Sequence, residues 1–215
     1  DSRRVTVLNR ALQPVRVITH PSLVRPSGLD IDRTRGLLYV ADPSRQDSTD
    51  HSVKVFDLQG NFVRTVGNGR GDCAGCLLFP TFVAVDSKGN LYVSNTMNAR
   101  VDVFDAEGKY LRRVGERGNN YGMFDKPKGI ALDGFDNLYV VDSGWSNVQI
   151  FGPTGEVLLF FGGRGVHHAV VRFRERTQQF IRTGRARRGL HHFGDRLHGQ
   201  ARCMFACLRS AHPIR

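Results

Sequence analysis

The sequence predicts an all-β protein built from repeated four-stranded antiparallel sheets, and three recurring signals carry that prediction. An alternating strand signal appears as Val5-Thr-Val7-Leu8, Val53-Lys-Val55-Phe56, Val101-Asp-Val103-Phe104 and Val148-Gln-Ile150-Phe151, at spacings of 48, 48 and 47 residues. A Leu-Tyr-Val triplet recurs at Leu38–Val40, Leu91–Val93 and Leu138–Val140. The third signal is an apolar strand that ends in Asp: Gly28-Leu-Asp-Ile-Asp32, Val83-Ala-Val-Asp86 and Gly129-Ile-Ala-Leu-Asp133. One period shared by three independent signals defines a repeat.

Within each repeat the strand ending in Asp comes first. A turn such as Asp86-Ser-Lys-Gly-Asn90 follows, where Gly89 supplies the positive φ a tight hairpin needs. The Leu-Tyr-Val strand is second, and a polar loop leads to the Val-x-Val-Phe strand. A second Gly turn, as in Asp105-Ala-Glu-Gly108, leads to strand four, as in Tyr110-Leu-Arg-Arg-Val-Gly115. Four antiparallel strands every 48 residues or so is the arithmetic of a β-propeller blade.

Lys128-Gly-Ile-Ala-Leu-Asp133, Asn137-Leu-Tyr-Val140 and Asn98-Ala-Arg-Val-Asp-Val-Phe-Asp105 resemble NHL repeats, and the resemblance covers residues 1–165. It implies a six-bladed β-propeller, of which this chain carries about half a blade, two complete blades and most of a fourth. The flanks of such a partial ring are open, so the tail, a second chain or self-association through the blade edges is expected to cover them. The resemblance is closer to bacterial, extracytoplasmic NHL proteins than to animal ones that add a RING and a coiled coil. A periplasmic or cell-surface location is therefore expected.

Of the 215 residues 40% are hydrophobic and 24% charged, enough apolar surface for a core and too much for a disordered chain. No apolar run approaches the roughly 18 residues of a membrane helix. The net charge of +11 suggests a polyanion partner until it is divided along the chain. Residues 1–165 hold 20 Lys and Arg against 18 Asp and Glu, whereas residues 166–215 hold 11 Arg, no Lys and 2 acids. The basic character belongs to the tail, and the propeller is nearly neutral. Repeat signals are absent from residues 166–215, which carry six of the eight His. That composition is expected of a disordered extension or of a GC-rich gene translated out of frame.

A metal-dependent propeller hydrolase or lyase needs carboxylate, Asn or His ligands converging from several blades. The inner strand starts, Pro26-Ser-Gly28, Pro80-Thr-Phe82 and Pro127-Lys-Gly129, offer neither His nor carboxylate, so no catalytic residue, metal or cofactor is assigned. Asp42, Asp47 and Asp50 read as solvated loop carboxylates. Cys73-Ala-Gly-Cys76 reads as a local disulfide of an oxidising compartment. A zinc site shared with Cys203 and Cys207 would require a folded tail. The tripeptide Arg70-Gly-Asp72 reads as coincidence of three common residues.

The remaining candidate is a surface. Loops joining strands two and three (Pro43–Ser52, Asn95–Arg100, Asp142–Asn147) and loops joining blades (Gly67–Pro80, Gly115–Pro127) meet on one face. They offer Arg45, Arg70, Arg100, Arg117, Tyr121, Lys126 and the single tryptophan, Trp145, as ligand-binding residues. Phe124 is expected to pack between blades, and pairing with a loop carboxylate is the alternative for Arg100. The expected function is a non-catalytic scaffold that binds a protein, peptide or glycan on this face. Single-stranded RNA on the same face is the alternative, and the metal-dependent enzyme the second alternative.

Overall fold

The computed structural model describes residues 3–163, and across them strands and tight turns follow the repeat. Strands β1 (Arg4–Leu8) and β2 (Pro14–Thr19) form a two-stranded sheet. Blade I is β3 (Leu29–Asp32), β4 (Leu37–Asp42), β5 (Ser52–Asp57) and β6 (Phe62–Val66). Blade II is β7 (Pro80–Val85), β8 (Leu91–Asn95), β9 (Arg100–Phe104) and β10 (Tyr110–Val114). A short parallel pair, β11 (Glu116–Arg117) and β12 (Met123–Phe124), precedes blade III. Blade III is β13 (Pro127–Leu132), β14 (Leu138–Asp142), β15 (Asn147–Phe151) and β16 (Val157–Gly162). Each blade is an antiparallel meander in chain order. The last blade is therefore complete, where the sequence suggested most of one: β16 pairs with β15 from Val157 to Gly162. Among the described residues no helix is long and apolar enough to cross a membrane. The tail, with its His pairs, Cys203 and Cys207, lies outside the described residues.

The Asp that ends each first strand closes the hairpin behind it. Asp86 Oδ1 accepts the backbone N–H groups of Lys88 at 2.9 Å and Asn90 at 2.7 Å, and Asp133 Oδ1 does the same for Phe135 and Asn137, both at 2.9 Å. Gly89 takes φ 87° in blade II. Blade III gives the left-handed position to Asp136, φ 60°, an unusual conformation that short Asp tolerates.

Side chains of each strand point alternately to the two flanking blades, so the core lies between sheets. Val53 and Val55 of β5 cluster with Leu77, Val83, Leu91, Val93 and Phe104, while Phe56 clusters with Ile18, Leu23, Leu38 and Val40. Val101 and Val103 of β9 meet Phe124, Ile130, Leu138, Val140 and Phe151. Leu29 (50% exposed) and Ile31 (39%) of β3 stay exposed because β1 and β2 supply only the outer half of the neighbouring sheet.

A second periodicity, missed in the sequence, ties the blades together. Arg16, Arg64 and Arg112, 48 residues apart on fourth strands, donate to the carbonyls of Leu58, Ala106 and Pro153 in the outer turn of the next blade. Leu159 takes that position in β16.

Candidate functional site

Register brings the predicted loops to one end of the sheets. Asn95 opposes both Pro80 and Arg100, and Val114 opposes Val101, so the β8–β9 loop and both flanking inter-blade loops emerge on the same side. The loops are held down by the residue that ends each second strand. Asp142 Oδ atoms accept the N–H groups of Asp125 (2.7 Å), Lys126 (3.0 Å) and Gly144 (2.7 Å). Asn95 accepts from Leu78 N (2.7 Å) and donates to Cys76 O (2.9 Å). Asp42 holds Val24, Arg25 and Ser44 in the same way, at 2.6, 3.0 and 2.7 Å. This corrects the reading of Asp42 as a solvated carboxylate: it is fully buried and structural. Asp47 is exposed, and Asp50 pairs with the buried Lys54 at 2.7 Å.

The seven candidate residues separate into three kinds. Arg45, Arg70 and Lys126 are exposed on the face and line neither of its two best-formed cavities. Arg117 is exposed, donates to Met97 O (2.7 Å) and faces Asp125 across 3.7 Å. Arg100 is not a surface group. It is 5% exposed, with Nε on Asp102 at 3.0 Å, Nη1 on Asp72 at 2.5 Å and Nη2 on Cys73 O at 3.1 Å. The carboxylate of Arg70-Gly-Asp72 is thus engaged within the chain, although 80% exposed. Cys73 and Cys76, joined by a disulfide, shape the turn that receives the guanidinium. Burial raises the Asp102 carboxyl above its ordinary range, opposed by Asn95 and Arg100. Phe124 is fully buried.

Trp145 and Tyr121 come together. With Asn119, Asn120, Met123, Asn147, Phe160 and Gly163 they line a cavity of about 450 Å³ beside blade III. The indole Nε1 donates to Gly118 O at 2.8 Å, which fixes the ring plane. Its counterpart one repeat earlier, Asn98, donates to Gly71 O at 2.8 Å, so a ring has replaced an amide without loss of the anchoring bond. Tyr121, 52% exposed, meets Phe160 edge to face at 5.5 Å. Asn147 is 7% exposed and its Oδ1 has no hydrogen-bond partner, an omission that costs about 1–3 kcal/mol. Sequence reasoning missed Asn147. The signal available was its place in the repeat, where Ser52, Arg100 and Asn147 stand 48 and 47 residues apart.

A smaller cavity of about 260 Å³ is lined by Asp72, Met97, Asn98, Arg100, Arg113, Glu116 and Arg117 and is rich in charge. Elsewhere, His51 is fully buried: Nδ1 accepts from Phe79 N (3.1 Å), so Nε2 carries the proton toward Arg45 O (3.2 Å). Burial lowers its pKa. Among the described residues no three His, Cys, Asp or Glu side chains converge as metal ligands would.

Residues 76–156 match the family described as a 6-bladed beta-propeller. No curated protein matches the chain. The chain resembles virginiamycin B lyase from Staphylococcus aureus (15% identity, TM-score 0.51, 74% of this chain and 48% of that one). It also resembles a chain of a nidogen/laminin complex (19%, 0.56, 74% and 55%) and a protein of unknown function from Bacteroides caccae (12%, 0.56, 78% and 57%). It spans about half the length of these structures. The blade meander and these likenesses agree: the chain is a β-propeller segment, and its residues 76–156 match a six-bladed family.

Proposed function

We propose that this chain is a non-catalytic binding scaffold whose loop face takes a protein, peptide or glycan, with Trp145 and Tyr121 as its anchors. The observation that carries this reading is the cavity beside blade III, where a half-buried tryptophan with a fixed ring plane borders open space. A rigid aromatic held before binding loses little entropy on contact. The likeness to a chain of a nidogen/laminin complex is compatible with this reading, and the likeness to a lyase supports the second alternative, a metal-dependent enzyme. Metal analysis of the purified chain separates the two, since a stoichiometric divalent ion favours the enzyme. The scaffold reading is tested by screening the full chain against peptide-display and glycan libraries. Ligands should be lost in Trp145→Ala and Tyr121→Ala, and ligands indifferent to both changes refute it.

Single-stranded RNA on the same face is supported by the exposed Arg45, Arg70, Arg113 and Arg117. It requires affinity that falls steeply with salt. The Cys73–Cys76 disulfide supports an extracytoplasmic location, and residues 166–215 are proposed to be separate from the propeller.

A further inference from the structure

Resting on the binding reading above, we infer that the cavity beside blade III is a site for a neutral saccharide, with Asn147 as its specificity residue. Among the described residues the lining carries no carboxylate, lysine or arginine: it consists of Asn119, Asn120, Tyr121, Met123, Trp145, Asn147, Phe160 and Gly163. A phosphorylated or uronic ligand would find no counter-charge among these residues, whereas Arg100, Arg113 and Arg117 line the other cavity. The volume of about 450 Å³ is in the range of small-molecule sites.

The polar groups on offer are side-chain amides. Each presents a donor and an acceptor, which matches a hydroxyl that is itself both. The Asn147 acceptor is buried without a donor, so a ligand hydroxyl satisfies it once the amide turns toward the cavity. A peptide would also look for backbone partners, and several backbone groups bordering the cavity are already engaged. Gly118 O accepts the Trp145 indole, Asn120 O accepts Met123 N (3.0 Å), and Gly122 N and Met123 O are both held by Gln149 at 2.8 Å. The aromatic rings of Trp145 and Tyr121 supply apolar surface for the C–H face of a sugar ring. Blade II shows the same position narrowed to a charged cavity of about 260 Å³. There Arg100, the counterpart of Asn147, extends into the loop and is satisfied by Asp72, Asp102 and Cys73 O. Asn147 is too short to do this, and leaves space with an unsatisfied acceptor.

Trp145 is the single tryptophan, so its fluorescence reports occupancy directly. The full chain is titrated with maltotriose, cellotriose, mannotriose and chitotriose, with trigalacturonate as the charged counterpart, and calorimetry repeats each titration. At least one neutral trisaccharide should shift the emission and trigalacturonate should not. Asn147→Ala should weaken that binding about tenfold, and Asn147→Arg, which restores the blade II side chain, should abolish it while thermal melting reports an intact fold. If Asn147→Arg fails to fold, Asn147→Leu decides, because it keeps nearly the same volume and removes the acceptor, and should also weaken binding. Equal binding of trigalacturonate, or no effect of Asn147→Ala, overturns the inference. So does silence from all four neutral sugars. If a display-selected peptide then binds and is lost in Trp145→Ala, the scaffold reading survives alone. If nothing binds, both fall.

Discussion

In blade II the residue that opens the third strand is Arg100, and its guanidinium, held by ion pairs to Asp72 and Asp102 and a bond to Cys73 O, borders a charged cavity of about 260 Å³. In blade III the same position is Asn147, and the space beyond it is an aromatic-walled cavity. Two residues further along the strand the contrast repeats: Asp102 needs Asn95 and Arg100, whereas the neutral Gln149 satisfies Gly122 N and Met123 O by itself. Blade I adds a third solution, with buried Lys54 reaching Asp50. The scaffold around these positions is constant, since Asp42, Asn95 and Asp142 fix each loop alike. A repeat fold thus fixes where a side chain sits, and leaves open whether the position is spent on closing the loops or on binding.

The comparison is broken most severely by Arg100→Ala. Asp102 is then left buried without its cation, and the loss should be about 3–5 kcal/mol by denaturant unfolding. Burial raises the Asp102 pKa in the folded state, so its ionised form costs stability above that pKa and the cost is relieved as pH falls through it. The Arg100→Ala deficit should therefore shrink on acidification, and Asp102→Asn should rescue part of it. A deficit independent of pH would assign the effect to packing alone.

The next effect tests the closed chemistry of blade I. His51→Ala leaves Phe79 N–H without its acceptor and should cost about 1–3 kcal/mol. The folded-state pKa of His51 lies below its ordinary 6.5, through burial first, then the charge of Arg70 against the pull of Asp50 and Asp42. The unfolded chain then takes up the proton more readily, so this contribution is complete above pH 6.5 and lost as pH falls below it. Stability followed from pH 7.5 to 5.5 should drop more for the native chain than for His51→Ala. Opening the Cys73–Cys76 disulfide should cost about 1–2 kcal/mol, as expected for a very short loop, and should leave ligand binding at blade III unchanged. Loss of binding on reduction would mean that the two loop sets are coupled.

Much of the fold was legible in the sequence because its signals are local and recur. Leu91-Tyr-Val93 and Val101-Asp-Val103 alternate by strand geometry, and Asp86 closes a turn four residues long. The face was legible by the same route, which brought Tyr121 and Trp145 to one side. For Arg100 the sequence left binding and pairing with a loop carboxylate both open, because its partner Asp72 lies 28 residues away in a loop whose path no pattern specifies. Asn147 was overlooked because an Asn at a loop end is ordinary. Its meaning appears only against Arg100 in the preceding repeat. Arg16, Arg64 and Arg112 were equally readable by period, yet their acceptors are backbone carbonyls, which leave no trace in sequence.

The smallest expected effect runs in the opposite direction. Asn147→Leu replaces a buried, unsatisfied acceptor with an apolar group of similar size, and should raise stability by about 1 kcal/mol in denaturant unfolding. Arg100→Leu, at the equivalent position, should lower it, because there the polar side chain is fully satisfied and Asp102 depends on it. Opposite signs at two equivalent positions would mean that blade III carries a stability cost at Asn147 that folding does not require, the expected mark of a residue kept for a ligand. The same sign at both would reduce Asn147 to a variant of the blade II solution, and the contrast between the blades would be one of size alone.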